Sequence, residues 1–275
     1  MDLFDLAVKN APSLKERFEE LIKLGRPDQP KALKEFALTI ASSGRICVNM
    51  KQMTLIEFLT FGKYMNIYEW AANRAHLSGR QVTEVIQAKL GRYYEKRLAF
   101  DGFFDNSSGF HCGALSVGGL GATWYGDHCA VFNDSVSAGR RDVAYLRSDS
   151  VDTYLTEDLD LDKAAIAHDV APHTHRQFLA AIKHSEQVLA HPTQKWPQLL
   201  CNDTEFVEVI FAGDAEASDL EKIRMARSDY EAYFDYGFED LRGALSDADR
   251  YRVSGFVMML RLLEDRKIPL ELVDD

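Results

Sequence analysis

No apolar run in the chain approaches the length of a membrane span, so a helical membrane protein is not expected. Basic charge is also scarce. The 32 Lys and Arg are outnumbered by 43 Asp and Glu, for a net charge of −11. That argues against gripping nucleic acid through a broad basic face. There are only four cysteines, Cys47, Cys112, Cys129 and Cys201, with no CxxC among them. At this size they do not make a disulfide scaffold, and reduced thiols in a cytosol-like compartment are expected. The first residues, Met1 to Leu6, lack the basic segment of a Sec signal. A cytoplasmic protein is expected, or one delivered into a host or competitor cell without a cleaved signal. The glycine-rich stretch Gly118-Gly119-Leu120-Gly121 has neither the spacing of a Rossmann loop nor the Gly-Lys-Ser/Thr of a P-loop. A hairpin or loop is the reading there.

What the chain does have is 275 residues, 46% of them apolar, enough for one large domain or two small ones with a real core. Helical patterns come first. Ser13 to Glu16 reads as a capping box for a helix over 13–24, with Leu14, Phe18, Leu21 and Ile22 on one face. Gly25 stops it, and Pro27 and Pro30 mark a turn. A second helix over 31–42 carries Leu33, Phe36 and Ile40, and Arg45–Met50 reads as a strand. Thr54 to Glu57 is a capping box for a helix ending at Gly62, and Ser78 to Gln81 opens another. Residues 102–133 hold seven of the seventeen glycines, with strand-like runs at 114–117 and 129–132. Further on come a strand at 142–146, an acidic loop-like stretch at 155–169 and a helix from Thr174. After residue 211 mostly helix is expected, opened by Ser218 to Glu221. Strands and helices do not alternate regularly, so the class is α+β rather than a doubly wound parallel sheet.

One strand stands out. Phe206-Val207-Glu208-Val209-Ile210-Phe211 is apolar and β-branched, as for a strand buried on both faces, yet Glu208 sits in its middle. A buried carboxylate needs a cation, hydrogen-bond donors or a task. The alternatives are an ion pair with an Arg, or a strand edge at which Glu208 meets solvent. Other groups are less specific. His168, His173 and His175 lie close together, but their spacing to His184 and His191 matches no standard zinc site. His111-Cys112 and His128-Cys129 can each offer only one ligand to one side of a strand. No metal site is expected.

Several stretches, taken in order, resemble ADP-ribosyltransferase-like toxin domains of bacteria and phages. Arg45-Ile-Cys-Val-Asn-Met is similar to their first core strand, and Leu55 to Glu69 to the helix and aromatic-Glu segment after it. His111-Cys-Gly-Ala-Leu115, Tyr125-Gly-Asp-His-Cys-Ala-Val-Phe132 and Asp149-Ser150 resemble later motifs. Phe206 to Gly213, with Leu220 to Arg224 behind it, is similar to the catalytic-glutamate strand and a following helix. Two departures stand beside these. Glu69-Trp-Ala-Ala-Asn73 has no hydroxyl where the family places Ser or Thr. Phe206 stands where the arginine-modifying subtype has Glu or Gln.

The resemblance implies an N-terminal helical segment (1–44), an ADP-ribosyltransferase-like core of split mixed sheets (45–226) and a packed C-terminal helical segment (227–275). It implies NAD as substrate, with Glu208 catalytic, Arg45 on the pyrophosphate, and Tyr68, Trp70 or Tyr125 stacked on nicotinamide. It implies an NAD-dependent ADP-ribosyltransferase or NAD glycohydrolase acting as an effector or toxin, on a protein rather than a nucleic acid, away from membranes. An inactive relative serving as an interaction or inhibitor protein is the alternative.

Overall fold

The apolar runs of the sequence pair into one large sheet in a computed structural model that describes residues 1–24, 29–137, 142–241 and 245–274. Helices α1 (Leu3–Leu24) and α2 (Gln29–Ser43) lead into β1 (Arg45–Met50). Next come α3 (Gln52–Phe61), the short β2 (Lys63–Tyr64), α4 (Ile67–Ser78), α5 (Val82–Leu90) and α6 (Tyr94–Gly102). The middle of the chain forms β3 (Phe110–Ser116), β4 (His128–Phe132), α7 (Asp134–Ser137), β5 (Val143–Leu146), α8 (Ser150–Thr153), α9 (Lys163–Asp169) and β6 (Val170–Pro172). Then follow α10 (Arg176–Lys183), α11 (Ser185–Ala190), α12 (Trp196–Leu200), β7 (Glu208–Ala212), β8 (Ala215–Glu216) and β9 (Leu220–Ala226). Helices α13 (Arg227–Leu241) and α14 (Asp247–Arg266) precede β10 (Leu270–Val273).

The chain is thus mixed α/β. Its eight-stranded sheet has the order β10-β9-β4-β1-β3-β7-β5-β6, and β2 pairs with β8 in a small satellite. Strand β10 runs parallel to β9, while the other described pairs are antiparallel. The four segments expected as strands around 45–50, 114–117, 129–132 and 206–211 all contribute to this one continuous sheet, where split sheets were expected.

Alternation along the strands gives each face its own core. Ile46, Val48 and Met50 of β1 join Leu115, Phe132, Val209 and Phe211 on one face. Leu14 and Phe18 of α1, Phe36 and Ile40 of α2, and Phe256 and Met259 of α14 cover them. On the other face Phe100 of α6 packs with Phe110, Leu146 and Ile210, and Cys47, Ala114, Cys129 and Val131 form a smaller cluster. Each large side chain so buried contributes about 1.5–3 kcal/mol.

Several boundaries differ from the sequence expectations. Helix α1 begins at Leu3, not 13, and runs through Pro12; its buried stripe, Leu3, Ala7, Asn10, Leu14 and Phe18, keeps a helical period across the proline. Ser13 is therefore interior and caps nothing. Gly25 and Pro27 lie outside the described residues, and Pro30 falls in the first turn of α2. Helix α3 starts at Gln52, so Thr54 is not its cap; Glu57 is ion-paired with Arg74 instead. Ser78 ends α4 rather than opening a helix, and Gly79 at φ 68° caps that end. The acidic stretch contains α9, capped by the Asp162 carboxylate. The segment from His173 to His175 is a tight turn before α10.

The largest correction concerns residues 220–226. They form strand β9, not a helix, bonded to β4 and β10. Leu220 and Ile223 imitate a helical spacing because the pairing with β4 slips at Val131/Phe132. The extra residue of such a bulge turns a period of two into a gap of three. The C-terminal segment, expected to be helical, ends in β10 and so extends the sheet.

Candidate active site

Glu208 opens β7 opposite Ala114 of β3 and Leu146 of β5, and is 6% exposed. Leu146 is the last residue of β5. The chain turns back within four residues, which sets Ser150 over the Glu208 carboxyl group. The Ser150 backbone N–H donates to Oε2 at 2.5 Å and its hydroxyl donates to Oε1 at 3.2 Å. Asp149 holds this turn in place, accepting from the N–H groups of Val151 and Asp152 to cap α8. Lys183, reaching over from α10, donates to the carbonyls of Arg147 and Phe206, each at 2.6 Å. It ties the end of β5 to the start of the Glu208 segment, and burial pulls its ammonium down to about 8.

Burial, and then the negative charge of Asp149, raise the Glu208 carboxyl to about 7; Arg97 and the two Ser150 donors oppose the rise. A carboxyl at that value exchanges its proton near neutrality and can act as charge or as acid.

Arg97 comes from α6, laid over the sheet face that carries Glu208. Its Nε donates to Asp101 Oδ2 at 2.9 Å, its other nitrogen sits 2.8 Å from Oδ1, and Nη1 donates to the Cys112 sulfur at 3.1 Å. Asp101 also accepts from the Tyr68 hydroxyl at 2.5 Å. Burial raises Asp101 more than Arg97 and Tyr68 lower it. Burial also pushes the Cys112 thiol up to about 12, so it stays neutral beside Glu208 despite the guanidinium.

Tyr125 borders this group from the loop between β3 and β4. Asn49 pins that loop, donating to the carbonyls of Leu120 and Gly126 and accepting from the Ala122 N–H. The close approach needs glycine. A Cβ on Gly121, at φ 73°, would lie 2.2 Å from Asn49 Oδ1, and one on Gly126 would lie 2.0 Å from the Met50 carbonyl carbon. Asp203 fixes the loop tip, accepting from Thr123 Oγ1 and from the Trp124 N–H. The Tyr125 ring meets Phe206 at 85°, with centroids 6.3 Å apart. Burial first, and then the charges of Asp149 and Glu208, raise its phenol.

The sequence candidates are thus divided. Glu208, Tyr68 and Tyr125 come together around Asp149, Ser150, Arg97 and Asp101. Trp70 does not join them; it faces Lys89 and Arg74 on α5 and α4. Arg45 is turned to Glu221, donating from Nε at 2.8 Å, with Asp134 3.9 Å away. Glu69 caps α4 with Asn66 and pairs with Lys63. Sequence reasoning missed Arg97, Asp101 and Lys183. The four-residue spacing of Arg97 and Asp101 was a signal for a helical ion pair, with nothing to show that it is buried.

Among the described residues no group of three or more His, Cys, Asp and Glu is arranged to hold a metal, and no helix is long and apolar enough to cross a membrane. No protein-family model and no curated protein matches the chain.

Proposed function

We propose that the chain is an NAD-consuming enzyme, an ADP-ribosyltransferase or NAD glycohydrolase acting as an effector or toxin, with Glu208 as its catalytic carboxylate. The observation that carries this reading is the Glu208 carboxyl itself. It is fixed by Ser150 on a buried strand, raised to about 7, and set beside the partly exposed ring of Tyr125. Cleaving the bond between ribose and nicotinamide leaves the electron pair on the departing ring nitrogen and positive charge on the sugar, as in glycoside hydrolysis. A carboxylate held rigidly next to the ribose stabilises that charge. The acceptor, a protein side chain or water, then bonds to the sugar carbon and gives up its proton. On this reading Tyr125 stacks on nicotinamide. On the same reading Arg45, whose Nε donates to Glu221, turns its remaining guanidinium N–H groups to the pyrophosphate. Release of nicotinamide from NAD by the purified chain tests the reading, and the absence of any release sinks it.

One observation favours the second reading, an inactive relative working as an interaction or inhibitor protein. Both Glu208 oxygens already have donors in Ser150, as a purely structural carboxyl would. On that reading the acidic surface would carry the function and NAD would not be turned over.

A further inference from the structure

We propose that the groove between α4 and α5 is a binding site for a small organic anion with a flat apolar body: an aromatic carboxylate, sulfonate or phosphate. None of the residues that line it belongs to the Glu208 group, and it does not depend on the NAD reading.

The helical period sets the two walls. Trp70, Arg74 and Ser78 follow one another at four-residue intervals on α4, so they share a face. Val85, Ala88 and Lys89 share a face of α5 by the same rule. Ala71 and Ala75 pack with Val85 and Ile86 and hold the helices together. The short side chains of Ser78 and Ala88 leave space between the stripes. A cavity of about 320 Å³ results, closed at one side by Arg80 from the turn that joins the helices. Cavities that take small ligands run from about 300 to 1,000 Å³.

The lining joins an apolar surface to cations and includes no carboxylate. Trp70, Val85 and Ala88 supply the apolar part. Arg74 gives one nitrogen to Glu57 of α3, and a guanidinium keeps further donors after one such bond. Arg80 lies 3.7 Å from Glu84 with both side chains more than half exposed, a pair of little strength. Lys89 has no carboxylate within ion-pair distance among the described residues. Three cations thus face two carboxylates, both outside the cavity, in a chain whose net charge is −11. The Lys89 ammonium and the Arg74 guanidinium already sit over the Trp70 ring, at 5.2 and 5.8 Å from its centre. Groups held in place before the ligand arrives lose little freedom on binding. An inorganic anion gains from the cations alone, and a neutral ring from the apolar wall alone. A ligand that carries both gains from both.

The experiment is fluorescence titration of the full chain with 1-anilinonaphthalene-8-sulfonate and with N-phenyl-1-naphthylamine, which has the same rings without the sulfonate. The sulfonate should saturate one site and bind about tenfold more tightly than the neutral amine. Raising salt from about 0.02 to about 0.5 M should weaken the sulfonate and leave the amine unchanged. Ala88→Leu fills the groove from an exposed helix position, where Leu is a good helix former, and should abolish saturable binding at an unchanged melting temperature. Lys89→Met keeps the stem and removes the charge, and should weaken the sulfonate by about threefold or more. Inorganic phosphate should not displace the dye at concentrations at which 2-naphthoate does. Equal affinity for the two dyes would overturn the proposal. So would unchanged sulfonate binding in either variant, displacement by phosphate as effective as by naphthoate, or no saturable binding below about 1 mM.

Discussion

Replacing Glu208 with Gln keeps the shape of the side chain and removes its charge, and its effect on stability should depend on pH. The folded-state value of about 7 lies above the ordinary 4.5. Below pH 4.5 the carboxyl is protonated in both folded and unfolded states, and it behaves much like the amide. Between 4.5 and about 7 the folded protein holds the proton more firmly, so wild-type stability falls as pH rises. The whole difference, at about 1.4 kcal/mol per tenfold in proton affinity, is about 3 kcal/mol. The Gln variant escapes this loss, since its carbonyl still accepts from the Ser150 N–H and the Ser150 hydroxyl can turn to accept from its amide. Arg97 and Asp101 stay in both proteins, and Cys112, Tyr125 and Tyr154, all raised, remain neutral in this range; the repulsion between Glu208 and Asp149 disappears with the Glu208 charge and is part of the same gap. Melting curves from pH 5 to 8 should show the variant gaining on the wild type by about 5–10 °C. Nicotinamide release should fall by about two to three orders of magnitude in the same variant. A stability gap that does not change with pH would refute the buried, raised carboxyl. Full turnover in the variant would end the catalytic role.

Arg97→Met should cost about 3–5 kcal/mol in a denaturant titration, because Asp101 is left charged and buried. Adding Asp101→Asn to it should recover part of that loss, and no recovery would mean the two are not coupled. Gly121→Ala should destabilise by about 1–3 kcal/mol, since a side chain at φ 73° is strained and meets Asn49; a wild-type melting temperature would contradict the loop geometry. Lys183→Met removes the donor to the Arg147 and Phe206 carbonyls and should cost on the order of 2–3 kcal/mol by the same titration.

Glu208 could be found in the sequence because its anomaly is local. A carboxylate among Phe206, Val207, Val209, Ile210 and Phe211 needs no knowledge of distant residues to be noticed. Arg45–Met50 was legible for the same reason, since apolar runs bounded by Gly44 and Lys51 name their own strand. Local signals also misled. Asn66 to Glu69 is a helix cap, yet beside Tyr68 it looked like an aromatic-Glu motif. Ser13 to Glu16 looked like the start of a helix, but the stripe on α1 begins at Leu3 and runs through Pro12.

Arg97 and Arg45 show why the rest could not be read. Arg97 lies in Tyr94-Glu-Lys-Arg-Leu-Ala-Phe100, whose charges look solvated, and only the packing of Phe100 under α6 against Phe110 and Ile210 turns that arginine inward. Arg45 begins a strand in a position that could face a ligand. Its direction is decided 176 residues away by Glu221, at the slip where β9 pairs with β4. An arginine's location in a strand follows from the sequence, but its partner depends on which distant carboxylate the sheet register brings within reach. Around Glu208 that register selects Leu146, and through the turn after it Ser150 and Asp149. The carboxyl group could be read from its own strand, and the groups that set its charge could not.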